Sequence, residues 1–260
     1  MSNNTIISSQ NVTKRFGGLE AVRNLDVDIK EASITSIIGP NGAGKTTFFN
    51  CVTGFYKPES GKITYCNNEI TGYAPNTIAS MGISRTYQNI RLFSSLTAIE
   101  NILAGRHTRM RSNVFDALIH TKIHREEESE ALEKAHWILD FVHLRGMGDQ
   151  LALNLPYGAQ RRLEIARAMA NKPKLLLLDE PSAGMNPNET QKMMALIRKL
   201  RDELGITILL IEHDIGLVMR ISEKIIVLDF GTKIAEGLPQ EMQQNSLVIE
   251  AYLGRSSLPC

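Results

Sequence analysis

The sequence predicts an α/β fold, a mostly parallel sheet covered by helices on both faces, and three observations carry that expectation. Short apolar runs alternate with helix-compatible stretches. Ile34-Thr35-Ser36-Ile37-Ile38 precedes Thr46 to Val52; Lys174 to Leu178 lies between Gln160 to Ala170 and Pro187 to Glu203; a further run, Ile206 to Ile211, follows. The first run ends directly in a Gly-rich loop that opens the next helix. The N-terminal part, about Thr5 to Thr86, mixes β-branched runs with Gly and Asn turns, as in Gly61-Lys62-Ile63-Thr64-Tyr65-Cys66-Asn67-Asn68, which predicts an antiparallel β portion. From Thr97 to about Asp149 strand signals fade. Helix formers dominate there, notably His124 to Val142 with apolar residues at 3–4 spacing, so a helical insert over about residues 88–155 is expected within a single domain spanning residues 1–260.

Bulk properties narrow the function classes. Hydrophobic residues make up 43% and charged residues 22% of the 260, with a formal net charge of +1, an ordinary balance that carries no nucleic-acid footprint. The start, Met1-Ser2-Asn3-Asn4-Thr5, lacks the basic residues and apolar stretch of a secretory signal, which predicts a cytoplasmic chain. The apolar runs Leu175 to Leu178 and Ile206 to Ile211 fall far short of the ~20 residues of a spanning helix. Cys51, Cys66 and Cys260 are scattered and odd in number, which suggests neither a disulfide framework nor a zinc site.

Gly39-Pro40-Asn41-Gly42-Ala43-Gly44-Lys45-Thr46 fits the phosphate-binding pattern G-x-x-x-x-G-K-[ST], with a strand before it and a helix after it. Successive backbone N–H groups face a phosphate only where side chains do not block them, hence the glycines, and the helix N-terminus adds positive potential. Lys45 is expected to reach the β- and γ-phosphates and the Thr46 hydroxyl to ligate Mg²⁺, with Thr47 counted among the nucleotide-binding positions. Leu175-Leu176-Leu177-Leu178-Asp179-Glu180 places two carboxylates at the C-terminal end of an apolar strand, where ligands of open α/β sheets bind. Alone this reads more readily as a solvated acidic turn. Beside a phosphate loop, Asp179 is expected to hold Mg²⁺ and Glu180 to orient and polarise an attacking water. His213 follows another apolar strand. A lone His is commonly structural, but one in the same sheet is a candidate γ-phosphate contact.

The order of phosphate loop, Gln88, a segment at Leu155 to Ala159, Asp179-Glu180 and His213 resembles the nucleotide-binding domains of ABC transporters over essentially the whole chain. Lys14-Arg15-Phe16-Gly17-Gly18, Asn50-Cys51-Val52-Thr53-Gly54-Phe55-Tyr56, Arg85-Thr86-Tyr87-Gln88 and Ala251-Tyr252-Leu253-Gly254 look most like the ATPase subunits of bacterial branched-chain amino acid uptake systems. The resemblance implies a P-loop ABC nucleotide-binding domain with an N-terminal antiparallel β portion and a helical subdomain insert. Its implied work is ATP hydrolysis powering amino-acid import, with ATP and Mg²⁺ as cofactors. Implied partners are membrane permease subunits on separate chains, a second ATPase subunit in a head-to-tail pair and, indirectly, an extracytoplasmic substrate-binding protein. The implied place is the cytoplasmic face of the inner membrane. Phe16 would stack on adenine, although a single Phe read alone is more often core packing; Gln88 would touch Mg²⁺ and the water; Asn89 to Leu96 would meet a helix of the membrane partner or pack on its own domain. Gly158 and Gln160 would contact the nucleotide of the opposite subunit.

Two departures from the family pattern stand out. Where most members have Leu-Ser-Gly-Gly-Gln, this chain has Leu155-Pro156-Tyr157-Gly158-Ala159, so the serine hydroxyl is missing and one of two composite ATP sites is expected to be weaker. The backbone N–H groups of Gly158, Ala159 and Gln160 are expected to remain available to an anion there. Asn186 stands where many members have Asp. The basic cluster Arg106, His107, Arg109 and Arg111, and Glu126-Glu127-Glu128, are expected to be solvated faces, and His120 with His124 has no accompanying zinc pattern. Rival functions are an ABC ATPase for another cargo (urea, another amino acid, an exported lipid), one acting on DNA or ribosomes, and a nucleotide-binding regulatory module; Glu180 argues against the last.

Overall fold

The computed structural model describes residues 5–106 and 122–253. His107, Arg109, Arg111, His120, Gly254 and Cys260 lie outside the described residues, as do the side chains of His124 and of Glu126 to Glu128.

In chain order the elements are β1 (Thr5–Phe16), β2 (Leu19–Lys30), β3 (Ile34–Ile38), α1 (Lys45–Val52), β4 (Ser60–Tyr65), β5 (Asn68–Glu69), α2 (Pro75–Ser80), β6 (Ile83–Arg85), α3 (Ala98–Gly105) and α4 (Lys122–Phe141). A short 3₁₀ turn, Ala152–Asn154, leads into α5 (Tyr157–Ala170), β7 (Leu175–Asp179), α6 (Pro187–Leu204), β8 (Thr207–Ile211) and α7 (Ile215–Ile221). β9 (Lys224–Asp229), β10 (Thr232–Gly237), α8 (Pro239–Gln243) and α9 (Ser246–Leu253) complete the described chain.

Two sheets form. The N-terminal one, in order β2-β1-β4-β5, is antiparallel throughout; the other, β10-β9-β3-β8-β7-β6, is parallel except for its β10 edge. β3, β7 and β8 are buried at every position, because both faces of a parallel sheet are covered and each side chain must suit an apolar environment. On one face Val12, Val22 and Leu25 of the first sheet, Phe48, Phe49 and Val52 of α1, and Ile37, Leu209 and Leu228 of the second form one apolar cluster. On the other face Leu176, Leu178, Ile208 and Leu210 join Ile102 of α3, Ile138 of α4, Leu163 of α5 and Ile197 of α6. Full burial of each such side chain contributes about 1.5–3 kcal/mol.

Pairing order brings the site together. β8 lies between β3 and β7, with Ile211 level with both Ile37 and Asp179, so the loop after β3, the carboxylates after β7 and the histidine after β8 emerge at one sheet edge. α6 begins in a capping box: Asn186 Oδ1 accepts from the N–H groups of Asn188 and Glu189, and the Glu189 carboxylate accepts from Asn186 N–H. An amide oxygen serves that cap as an aspartate oxygen would, so the Asn at this position leaves the helix start intact.

Candidate functional site

The loop Gly39 to Gly44 turns sharply out of β3. Gly39 and Gly44 have φ of 151° and 97°, and a Cβ at either would collide with a backbone carbonyl, that of Leu228 and of Ala21 respectively. Only glycine fits there. Gly44 caps α1 without any side-chain bond, so the first-turn N–H groups of Lys45, Thr46 and Thr47 have neither a side-chain cap nor an intrahelical acceptor. Lys45 folds over this opening, its Nζ donating to the carbonyls of Gly39 at 2.7 Å and Pro40 at 3.0 Å. Burial lowers its pKa, while the nearby Glu180 and Asp179 carboxylates act the other way. An uncapped helix start with a nearly buried cation beside it fits a polyphosphate.

Thr46, Gln88 and Asp179, the three expected Mg²⁺ ligands, line a single cavity of about 400 Å³ together with Asn50 and Arg85. Oxygen donors of this kind suit a hard divalent cation. Asp179 is 3% exposed. Burial pushes its carboxyl above the ordinary carboxylate range, and the Arg85 guanidinium pulls against it, donating from Nη2 to Oδ2 at 3.0 Å. Arg85 also donates to Asn50 Oδ1 and Thr53 Oγ1, which ties β6 and β7 to α1. The sequence offers one signal for Arg85, a cation three residues ahead of Gln88. Both members of the pair are about 5% exposed. Arg85→Met is therefore expected to lower the unfolding free energy of the nucleotide-free chain by about 3–5 kcal/mol, because Asp179 is left buried without its hydrogen-bonded cation. Urea unfolding of the two proteins measures this, and a loss under about 1 kcal/mol would show that the pair contributes little beyond a surface bridge.

Glu180 adopts φ 49°, a left-handed conformation unusual for a non-glycine, held by its N–H donating to Ile211 O at 2.9 Å. The turn aims its side chain back to the sheet edge. Gln88 Nε2 donates to Glu180 Oε2 at 2.9 Å, and His213 Nδ1 lies 3.6 Å from the same oxygen. Gln88, Glu180 and His213, distant in sequence, thus converge, and a carboxylate so oriented can polarise a water. Behind them Glu212 is fully buried and accepts from Ser182 N–H and Oγ at 3.1 and 2.6 Å. Burial raises its pKa. Nothing in the sequence marked Glu212, since an acidic residue after a strand reads as solvated.

Phe16 is exposed, edge-on to Tyr56 at 5.1 Å between centroids, with Lys14 Nζ 5.3 Å from its ring centre. Beside it Arg15, Gly17, Gly18, Ala21, Gly42 and the exposed Phe230 line a groove of about 480 Å³. The expectation for the segment after Leu155 needs correction. Pro156 caps α5, and the N–H groups of Ala159 and Gln160 both donate to its carbonyl at 2.8 and 3.0 Å, while Gln160 Nε2 donates to Leu155 O. Proline lacks an N–H but its carbonyl starts the helix three residues earlier than expected, so the free N–H groups at this tip belong to Tyr157 and Gly158.

A family model described as ABC transporter matches residues 22–183, and one described as branched-chain amino acid ATP-binding cassette transporter matches residues 232–256. The chain is similar to the high-affinity branched-chain amino acid transport ATP-binding proteins BraF of Pseudomonas aeruginosa (48% identical over 252 residues) and LivG of Escherichia coli (47% over 251), covering 96% of this chain and 98% of each relative. Among solved structures it is similar to the ADP conformation of an ATP-binding cassette of an ABC transporter, with a TM-score of 0.84 and 33% identity over 96% of this chain and 99% of that one. A dimeric bacterial ABC transporter cassette gives a TM-score of 0.76 at 29% identity, over 90% of this chain and 98% of that one.

Proposed function

Because the chain belongs to the ABC transporter family of ATP-binding cassettes, we propose that its ATPase activity drives import of branched-chain or related hydrophobic amino acids through membrane subunits on other chains. Among the described residues no helix is long and apolar enough to cross a membrane, which supports separate permease subunits. The convergence of Gln88, Glu180 and His213 beside the phosphate loop carries the hydrolytic reading. Lys45 turns from its loop carbonyls to the β- and γ-phosphates. Glu180, held by Gln88, positions and polarises the water, and His213 contacts the γ-phosphate. Thr46, Asp179 and Gln88 would hold Mg²⁺, which supplies charge neutralisation on the phosphates. Phe16 stacks on the base, and the helical insert over about residues 88–155 moves Gln88 as nucleotide binds.

The membrane contact is proposed at Asn89 to Leu96. Phe93 is exposed there, and the fully buried Asn101 shapes the loop by donating to the carbonyls of Phe93, Leu96 and Thr97 and accepting from Phe93 N–H. Identity of 47–48% to branched-chain amino acid transport proteins supports the cargo. Contact with these permease subunits would hold the protein peripherally at the cytoplasmic face of the membrane, where it would pair with a second ATPase chain. The test is reconstitution of this chain with its membrane subunits and second ATPase in vesicles. ATP-dependent uptake of leucine, isoleucine or valine is expected, with weak turnover by the chain alone. A complex that hydrolyses ATP but moves none of these would overturn the cargo assignment.

A further inference from the structure

We infer that Tyr157 and Arg161 form a strut joining the N-terminus of α5 to both loops that flank Glu180, so that the segment facing a partner's nucleotide also sets the geometry of this chain's own water-positioning carboxylate. This rests on the roles proposed above for Glu180 and for head-to-tail pairing. Arg161, 4% exposed, donates from Nη1 to Tyr87 O at 2.9 Å and from Nη2 to Gln88 O at 2.5 Å. Its Nε and Nη2 also reach the Tyr157 hydroxyl at 3.2 and 3.0 Å. That hydroxyl donates to Ala183 O at 2.9 Å.

The contacts close a ring. Glu180 accepts from the Gln88 side chain, the Gln88 backbone is held by Arg161, Arg161 holds Tyr157, and Tyr157 holds the turn three residues beyond Glu180. Two buried carboxylates brace it. Glu164, 2% exposed, accepts from the N–H groups of Tyr87 and Arg91 at 3.3 Å and pairs with Arg161 at 3.6 Å, and Glu212 holds Ser182. A planar guanidinium presents five donors in fixed directions, enough to hold two carbonyls and a phenol in one geometry, whereas lysine's three rotatable donors fix no such arrangement. The phenol, by donating to Ala183, turns its lone pairs to Arg161. Tyr157 stands where the pattern Leu-Ser-Gly-Gly-Gln has a glycine, which could make none of these bonds. The ring also fits closely: a Cβ at Gly184, φ 76°, would lie 3.3 Å from it. Displacement of a reacting group by about 1 Å costs up to about 10²-fold in rate, so a strut on both sides of Glu180 is a positioning device.

The test uses the assembled transporter carrying Tyr157→Phe, which keeps the ring and removes the hydroxyl, with Glu180→Gln as a control. We expect kcat to fall roughly five- to tenfold, KM for ATP to stay within about twofold, and the unfolding midpoint of the chain to move by only about 5 °C or less. Wild-type kcat in Tyr157→Phe, with Glu180→Gln inactive, overturns the strut alone. A loss that appears in KM in place of kcat also overturns it, since the hydroxyl then serves binding. Normal turnover in Glu180→Gln overturns the underlying reading of Glu180 and the strut with it.

Discussion

Glu180→Gln is expected to lower ATP turnover by the assembled transporter about 10²- to 10⁴-fold while leaving Mg-ATP binding close to wild type. The amide has the same shape and its oxygen can still accept from Gln88 Nε2, which now lies 2.9 Å from the carboxylate. The backbone restraint, a φ of 49° secured by the bond to Ile211 O, is unaffected by the change. What disappears is the negative charge that would polarise water. Turnover and equilibrium nucleotide binding, measured on the same preparation, separate the two effects. Near-normal turnover would remove Glu180 from the proposed chemistry.

Lys45→Ala should abolish stabilisation by nucleotide. A wild-type chain with ATP at 100 times its Kd gains about 2.7 kcal/mol by mass action, which thermal unfolding detects readily. The variant lacks the one side-chain cation of the phosphate loop and should show no shift at the same concentration. It should also be less stable without nucleotide, by about 1–3 kcal/mol, because the carbonyls of Gly39 and Pro40 lose a charged donor in a largely buried place. Equal stabilisation of both proteins by Mg-ATP would refute the assignment of Lys45. An unchanged nucleotide-free midpoint would show that water replaces the ammonium at those carbonyls.

Local chemistry was legible where contiguous residues carry the whole requirement. Gly39 to Thr46 announces its loop because glycine φ freedom, a terminal lysine and a helix start are all adjacent in the chain, and the structure has α1 beginning at Lys45. The apolar run ahead of Asp179-Glu180 reads as a covered strand, and it is buried at every position. The segment beside Pro156 was less legible, since the missing N–H of proline is visible in the sequence and the capping use of its carbonyl is not.

From sequence by itself came the α/β class, the antiparallel portion at the N-terminus, the phosphate loop and the candidacy of Asp179, Glu180 and His213, while the candidacy of Gln88 came from the resemblance to ABC transporter nucleotide-binding domains. Periodicity and motif spacing are local properties, set by residues close together along the chain. Tertiary structure alone decided the pairings across long separations: Arg85 with Asp179, Gln88 with Glu180, Arg161 with the carbonyls of Tyr87 and Gln88. It also decided that Glu164 and Glu212, which composition would assign to solvent, are buried and satisfied by N–H and hydroxyl donors from other elements. The physical reason is that a buried charge is tolerated only where donors converge on it, and the strand order placing β8 between β3 and β7 determines which donors those are.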